Sequence, residues 1–386
     1  MDDSRTVVII DAVRTPIGRG HKEKGYYKDL HPAALLATAL EAIVERTGVD
    51  PAMVDDVISG CVMQYGEQTY NIARSALLLA GFPYEVPGTT IDRQCGSAQQ
   101  AVNFGAAMIA AGAQDIVIGA GVEHMGHNPL TDPFDNPLGI AWTQELREKS
   151  DIQVQTVGAE LMADEWDVTR EDMDEVGLMS QQRAAAATAA GRFAREIVPV
   201  AVNGDTYETD QGIRPDTTLE GLAALRPAFD ENGRLTAGNS SQISDGAAAV
   251  LLMSKAKADE LGMKPLAKII DHVSVGVSPR TMLTGPIPAT RKILARNGMK
   301  IDDVDLFEVN EAFASVIVAW ERELGADREK INVNGGAIAL GHPVGCTGAR
   351  LFATMAHELE RSDKETGLIT MCCGGGLGTG TLIERV

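Results

Sequence analysis

The chain has 386 residues, with 34 Lys and Arg against 54 Asp and Glu, so its formal charge is −20. Hydrophobic residues at 44% and charged residues at 23% place it with folded globular proteins rather than disordered chains. The acidic balance, without any basic run, excludes bulk binding to nucleic acid or to an anionic membrane surface, because both need clustered cations.

The N-terminus carries acids and leads into only four apolar residues, Val7 to Ile10, which is too short for a signal peptide core or a membrane span. Five cysteines (Cys61, Cys95, Cys346, Cys372, Cys373) form an odd set in a long chain without a secretion signal, so a reducing cytoplasm is the expected setting. A length of 386 residues accommodates two or three domains at about 150 residues each.

In chain order, a β-branched run at Val7–Ile10 is followed by a helical pattern at Ala33–Glu45, a strand at Asp56–Ile58 and a second helix at Ala73–Ala80. Such alternation predicts an α/β fold with a mostly parallel sheet. The same grammar returns later. Gly48 to Val57 (GVDPAMVDDV) lines up with Gly298 to Phe307 (GMKIDDVDLF), and Asp115 to Gly121 resembles Leu368 to Gly374, a strand running into a glycine turn. Two copies of one α/β unit are therefore expected. Between them, Val122 to Ser244 has a different character, with Asn-Pro and Asp-Pro turns and one strong helix at Arg170–Ala190. An insertion of this kind commonly shapes a substrate site. The expected division is 1–121 with 245–270 for the first half, 122–244 for the loop domain and 271–386 for the second half.

Four segments could carry chemistry. In TTIDRQCGSAQQA a β-like approach ends at Cys95 and small residues open a helix. A thiol at a helix N-terminus has its pKa lowered by the dipole, which makes a nucleophile; a buried structural cysteine is the plain alternative. In NVNGGAIALGHPVGCTG, glycines surround His342, as expected where a ligand approaches backbone closely. The Gly336 to Gly341 spacing matches a phosphate loop, but His342 stands where Lys is required. MCCGGGLGTG contains no dinucleotide fingerprint, and the chain has no C-x-x-C pair for structural zinc, so no metal is expected. Instead it sets Cys372 and Cys373 beside the backbone N–H groups of a glycine turn, offering an acid or base next to an oxyanion hole. In VNEAFA, Asn310 follows a strand and is either a helix cap or a site residue. Two cysteines, a histidine and an asparagine at the same topological ends of duplicated units form one constellation.

Together with Val13 to Gly18 (VRTPIG), Thr236 to Ala248 (TAGNSSQISDGAA) and Gly285 to Ala289 (GPIPA), these segments resemble the thiolase family in the family's order over nearly the whole chain. The resemblance implies a thiolase-like fold, duplicated βαβαβαββ halves in an αβαβα layered arrangement, with an inserted loop domain for coenzyme A and a homodimer or homotetramer. It implies that Cys95 is acylated, His342 activates it, Cys372 exchanges a proton with the acetyl-CoA α-carbon, and Asn310 holds a water that completes an enolate hole with His342. The N–H groups of Cys95 and Gly374 would form a second hole.

Coenzyme A enters as cosubstrate, with Ser241 and Ala237 at the pantetheine, Arg214 at the nucleotide phosphates, and Phe229, Met282 and Phe313 as walls near the thioester. Three positions depart from the family pattern: Asp92 where Asn is common, Ala98 where Gly is usual, and the extra thiol of Cys373. The stretch Gly121 to His127 (GVEHMGH) resembles degradative 3-ketoacyl-CoA thiolases, and the Cys95 and C-terminal segments resemble actinobacterial members, some acting on sterol side chains. The expected reaction is thiolysis of a 3-ketoacyl-CoA, with acetoacetyl-CoA condensation as runner-up. A catalytically silent binding subunit is the reading from another class. A partner hydratase or dehydrogenase subunit is a further expectation.

Overall fold

The computed structural model describes residues 3–386. In the first half the strands are β1 (Val7–Arg14), β2 (Gly18–Arg19), β3 (Asp56–Gly60), β4 (Gly88–Ile91) and β5 (Ile116–His124). An inserted segment contributes the small hairpin β6 (Val200–Val202) and β7 (Asp205–Tyr207), after which β8 (Ser244–Ser254) returns to the sheet. The second half supplies β9 (Ala267–Gly276), β10 (Leu306–Val309), β11 (Thr366–Cys373) and β12 (Leu377–Arg385).

The duplication is visible strand by strand. β3 pairs parallel with β5, which pairs antiparallel with β8, which pairs antiparallel with β1. β10, β11, β12 and β9 repeat those relationships in the same order. The aligned glycines explain the repeat locally. Helix α1 (Pro32–Thr47) ends at Gly48 with φ +69°, and the equivalent second-half helix, Pro286–Asn297, ends at Gly298 with φ +65°. Each glycine supplies the left-handed C-cap that a side chain resists, and each leads through one 3-10 turn into a parallel strand. The repeat is incomplete at one edge. Where β4 flanks β3, the second half has only a bridge between Phe307 and Ile331. There Asn332 takes the strand's place: its side chain accepts from Val309 N at 2.9 Å and donates to Val309 O at 2.9 Å.

The halves join through the short β1–β9 pairing, at Val8 with Lys268 and Ile9 with Ala267. β9 runs across residues 270 and 271, where the second half was expected to begin, and pairs with β12 from Ala267 to Gly276. Its backbone pairing is with β12 over nearly its whole length, and with β1 at Lys268 and Ala267.

Between the half-sheets lie α2 (Ser97–Ala110) and α3 (Thr347–Ser362), packed on each other and on strands of both halves. Small residues permit that approach. A Cβ on Gly348 would sit 2.8 Å from Gln99 Cα, so the first turns of these helices meet nearly backbone to backbone. Gln99 then fastens α2 to the second half, donating to Ile369 O at 3.0 Å and Thr381 Oγ1 at 2.9 Å and accepting from Thr379 Oγ1 at 2.6 Å. The outer helices complete five layers. Because the buried strands are covered on both faces, β1, β5 and β8 read as near-continuous apolar runs. The first turns of α2 and α3 converge, with Cys95 two residues before α2 and His342 five residues before α3.

Candidate active site

Cys95 stands on a sharp turn between β4 and α2. Gln94 has φ +51°, a conformation that costs a non-glycine residue and persists only where its surroundings impose it. Here Asp92 Oδ1 accepts the Gln94 N–H at 2.6 Å, while Ser97 Oγ donates to Gln94 O at 2.6 Å and accepts from Arg93 N at 2.8 Å. Asp92 thus retains the acceptor that an asparagine would offer. The thiol is 9% exposed. Burial pushes its pKa up to about 11, against the opposing N–H groups of Gly374 and of Cys95 itself, with the Asp92 and Glu123 charges adding to the rise. Burial, rather than the lowering expected of a helix N-terminus, dominates the environment of this thiol.

His342 is on the loop between the turn Ala337–Leu340 and α3. His342 N donates to Ser244 Oγ at 3.1 Å, which fixes the loop against β8. Burial lowers the imidazole pKa to about 3, and the Arg350 charge acts in the same direction, so the ring is neutral. Its tautomer follows from the network. Thr347 Oγ1 donates to Pro343 O at 2.9 Å, so it accepts from His342 Nδ1–H at 2.6 Å. The basic lone pair is therefore on Nε2, 3.3 Å from Asn310 Nδ2.

Asn310 follows β10, and its Oδ1 is buried with no partner among the described residues, a vacant acceptor suited to a water. The next residue, Glu311, is a buried carboxylate that accepts from Ser180 Oγ at 2.6 Å, Asn332 Nδ2 at 2.9 Å and Ile338 N at 3.1 Å. It ties the inserted helix Arg170–Ala189 to the strand end that carries Asn310. Cys372, near the end of β11, is fully buried, and its pKa is raised well above the usual thiol range by burial, with Cys95 and Cys373 adding. It rests as a protonated thiol. Cys373 is also buried: a Cβ on Gly96 would lie 2.6 Å from its Sγ, so it packs directly under the Cys95 turn.

The structure thus sets Gly374 and Cys372 against Cys95 and joins His342 to Asn310, and Asn310 N donates to Thr370 O at 3.1 Å, two residues before Cys372 on β11. The residues expected at coenzyme A are more scattered in environment. Phe229 is 57% exposed and meets Phe313 edge to face, with centroids 6.4 Å apart. Ser241 N donates to Ala312 O at 3.0 Å, which holds that loop beside Phe313, and Ala237 is exposed. Arg214 is exposed, its backbone N–H held by Gln181 Oε1 at 2.7 Å, and its guanidinium makes no hydrogen bond or ion pair among the described residues. Met282, with φ +53°, is wholly buried in the core cluster that contains Phe313 and Cys372. All five cysteines are free. No group of three or more His, Cys, Asp or Glu among the described residues could hold a metal ion, and no described helix is long and apolar enough to cross a membrane.

Sequence reasoning missed Thr347 and Glu123. Thr347 sits five residues after His342, within reach of a ring on a tight loop, and Glu123 is an acid near the end of a strand that is apolar up to Val122. Both signals are present but need the loop geometry to acquire meaning.

A buried thiol with amide donors, a neutral imidazole, a second protonated thiol and an amide with a free acceptor are groups that acyl transfer and carbon-acid chemistry both require. Comparisons with known proteins agree. The family model for the thiolase N-terminal domain matches residues 7–256, and that for the thiolase C-terminal domain matches residues 263–385. A steroid 3-ketoacyl-CoA thiolase of Mycobacterium tuberculosis is 47% identical over 98% of this chain and 94% of its own length. A 3-ketoacyl-CoA thiolase of Yersinia pestis is 45% identical over 98% of this chain and 99% of its own. The crystal structure of the Bacillus anthracis acetyl-CoA acetyltransferase superposes with a TM-score of 0.89 at 40% identity, covering 99% of both chains. This chain belongs to the thiolase family.

Proposed function

We propose that this protein cleaves 3-ketoacyl-CoA with free coenzyme A to acetyl-CoA and a shortened acyl-CoA through an acyl-Cys95 intermediate. The observation that carries the reading is the pairing of the Cys95 thiol with the Gly374 N–H next to Cys372, together with a neutral His342 held to Asn310. His342 Nε2 takes the Cys95 proton as sulfur attacks the C3 carbonyl. The N–H groups of Cys95 and Gly374 receive the tetrahedral oxyanion, each such donor contributing roughly 3–4 kcal/mol in comparable sites. Breaking C2–C3 leaves the acetyl-CoA enolate, whose oxygen faces the protonated His342 and the water on Asn310. Cys372 then gives its proton to C2. In the second half-reaction Cys372 takes the thiol proton of incoming coenzyme A, whose sulfur displaces the acyl group, and His342 returns its proton to Cys95.

Running the same steps backwards condenses two acetyl-CoA molecules. The degradative direction is favoured by the relatives named 3-ketoacyl-CoA thiolase, and the steroid thiolase among them extends the candidate substrates to bulky side chains. Retention of Cys95, His342, Cys372 and Asn310 argues against a silent binding subunit. Coenzyme A is assigned to the surface bearing Arg214, Ala237, Ser241, Phe229 and Phe313, with Met282 packed behind Phe313. The inserted segment is the domain that carries most of it. The open edge of β4 beside the exposed Phe104 supports association as a homodimer or homotetramer, and five free cysteines fit a cytoplasmic setting. A hydratase or dehydrogenase partner would supply the 3-keto substrate.

The test is mass spectrometry after brief exposure to acetoacetyl-CoA or longer 3-ketoacyl-CoAs without free coenzyme A. Acylation should map to the Cys95 peptide and vanish in Cys95→Ala. No adduct at any chain length would overturn the reading.

A further inference from the structure

Glu123 is fully buried at the end of β5, and no Lys, Arg or His among the described residues pairs with its charge. Its carboxylate is instead surrounded by N–H donors. Oε1 accepts from Met63 N at 3.1 Å and Gln68 Nε2 at 2.7 Å, while Oε2 accepts from Val62 N at 2.8 Å and Gly345 N at 2.9 Å. Three of these donors follow β3 in the first half. The fourth, Gly345, comes from the second half, three residues after His342.

The seat at Gly345 is close-fitting. A Cβ there would lie 2.6 Å from Glu123 Oε2, 2.6 Å from Val122 O and 2.7 Å from Cys61 Cα, so only glycine brings its N–H to this carboxylate. Between His342 and Gly345 the chain passes through Pro343, whose ring limits backbone freedom. Pro343 O in turn accepts from Cys346 N at 2.9 Å and from the Thr347 hydroxyl that holds His342 Nδ1. Fixing the Gly345 N–H therefore fixes the loop that aims the imidazole. Four N–H dipoles, rather than a cation, face this buried carboxyl.

We propose that Glu123 is a positioning residue for acyl transfer: by gripping the Gly345 N–H from the half that carries Cys95, it sets where the His342 ring stands relative to that thiol. This rests on the thiolase reading above. An ordinary buried carboxylate would stabilise the fold without favouring one catalytic step, and the difference is measurable. In Glu123→Gln the shape is kept, but one oxygen becomes an NH2 that faces donors. In Gly345→Ala the carboxylate is kept and the grip is lost.

The experiment follows Cys95 acylation by rapid quench and mass spectrometry, with the coenzyme A KM and the melting temperature measured on the same full-length samples. Both variants should acylate roughly 10- to 100-fold more slowly while folded, the scale of an ångström-level misplacement, with coenzyme A KM within about twofold of the parent. The double variant should be no slower than the slower single variant, since both break one contact. Wild-type acylation rates in folded Glu123→Gln would overturn the proposal. If that variant does not fold, a wild-type rate in Gly345→Ala would overturn it equally. No adduct in the parent protein would instead remove the thiolase reading on which it stands.

Discussion

The Nδ1–H of His342 donates to Thr347 Oγ1 at 2.6 Å, and that hydroxyl gives its own proton to Pro343 O at 2.9 Å. One threonine thereby decides which imidazole nitrogen is basic. Thr347→Val removes the acceptor and strands a buried N–H, at a cost of about 1–3 kcal/mol to the working tautomer. The expected result is a kcat lower by roughly 10- to 100-fold at this energy scale, with the coenzyme A KM little changed. Thr347→Ser should restore most of the rate, because it returns the hydroxyl. Steady-state kinetics on the three proteins checks this; a Val variant with full kcat would mean the ring is oriented from elsewhere.

Cys95 rests as a thiol. Burial pushes its pKa up to about 11, so at neutral pH the thiolate fraction in the free enzyme is very small. Peptide-mapped alkylation by iodoacetamide should therefore be slow at pH 7 and accelerate steadily towards pH 10. A plateau below pH 8 would show instead that His342 already holds the proton in the resting enzyme. The His342 pKa, lowered to about 3 by burial, predicts that no acid limb of the profile near pH 6 belongs to this ring.

What the sequence made legible was what local chemistry decides. Gly48 and Gly298 mark equivalent helix ends because a left-handed C-cap selects glycine, and the repeat is visible in the sequence around them. Cys95, His342, Cys372 and Asn310 could be singled out because each sits in a short segment whose small residues have no other evident purpose. The contacts that tune these groups were not legible, because they span the chain. Glu123 meets donors from residues 62 to 68 and from Gly345, and nothing near Glu123 in sequence announces either. The raised Cys95 pKa likewise depends on layers that close over the turn, not on the helix that follows it. Residues 270 and 271 carry no turn signal in the sequence, and β9 continues through them with a register shift at Ile270 against Leu382 and Ile383 of β12.

Gly336 tests the network behind Asn310. Its Cα faces the Glu311 carboxylate so closely that an added Cβ would overlap the carboxyl carbon. Gly336→Ala must displace Glu311 from Ser180, Asn332 or Ile338, combining overpacking with a disturbed buried charge. A loss of about 2–3 kcal/mol in unfolding free energy is expected on those grounds. Because Glu311 adjoins Asn310, kcat should fall beyond what the folded fraction explains. Chemical denaturation together with kinetics at a temperature where the variant is fully folded separates the two effects. An unchanged denaturation midpoint would contradict the overlap.

Stability should also depend on pH in a particular window. Burial raises Glu123 from 4.5 to about 7 and Asp245 from 3.8 to about 7, and raises Glu308 and Glu311 in the same direction. A carboxyl with a raised folded-state pKa binds more protons in the native than in the unfolded state, so its contribution is present at low pH and is lost as pH rises through the folded value. The buried imidazoles act oppositely. His342 and His124 are lowered to about 3 and about 4, so their contribution grows as pH rises through 6.5. The two sets compete. Between pH 6.5 and 8 the unfolded-state imidazoles give up their remaining half-proton, so His342 and His124 each still add roughly 0.4 kcal/mol, while each of the two carboxyls near pKa 7 withdraws roughly 1 kcal/mol and the raised His127 acts with them, so the loss prevails. The melting temperature at constant ionic strength should therefore be lower at pH 8 than at pH 6.5, and the drop should shrink in Glu123→Gln, which has no proton to lose. A melting temperature that rises across this interval would mean that the four N–H donors, not burial, govern Glu123.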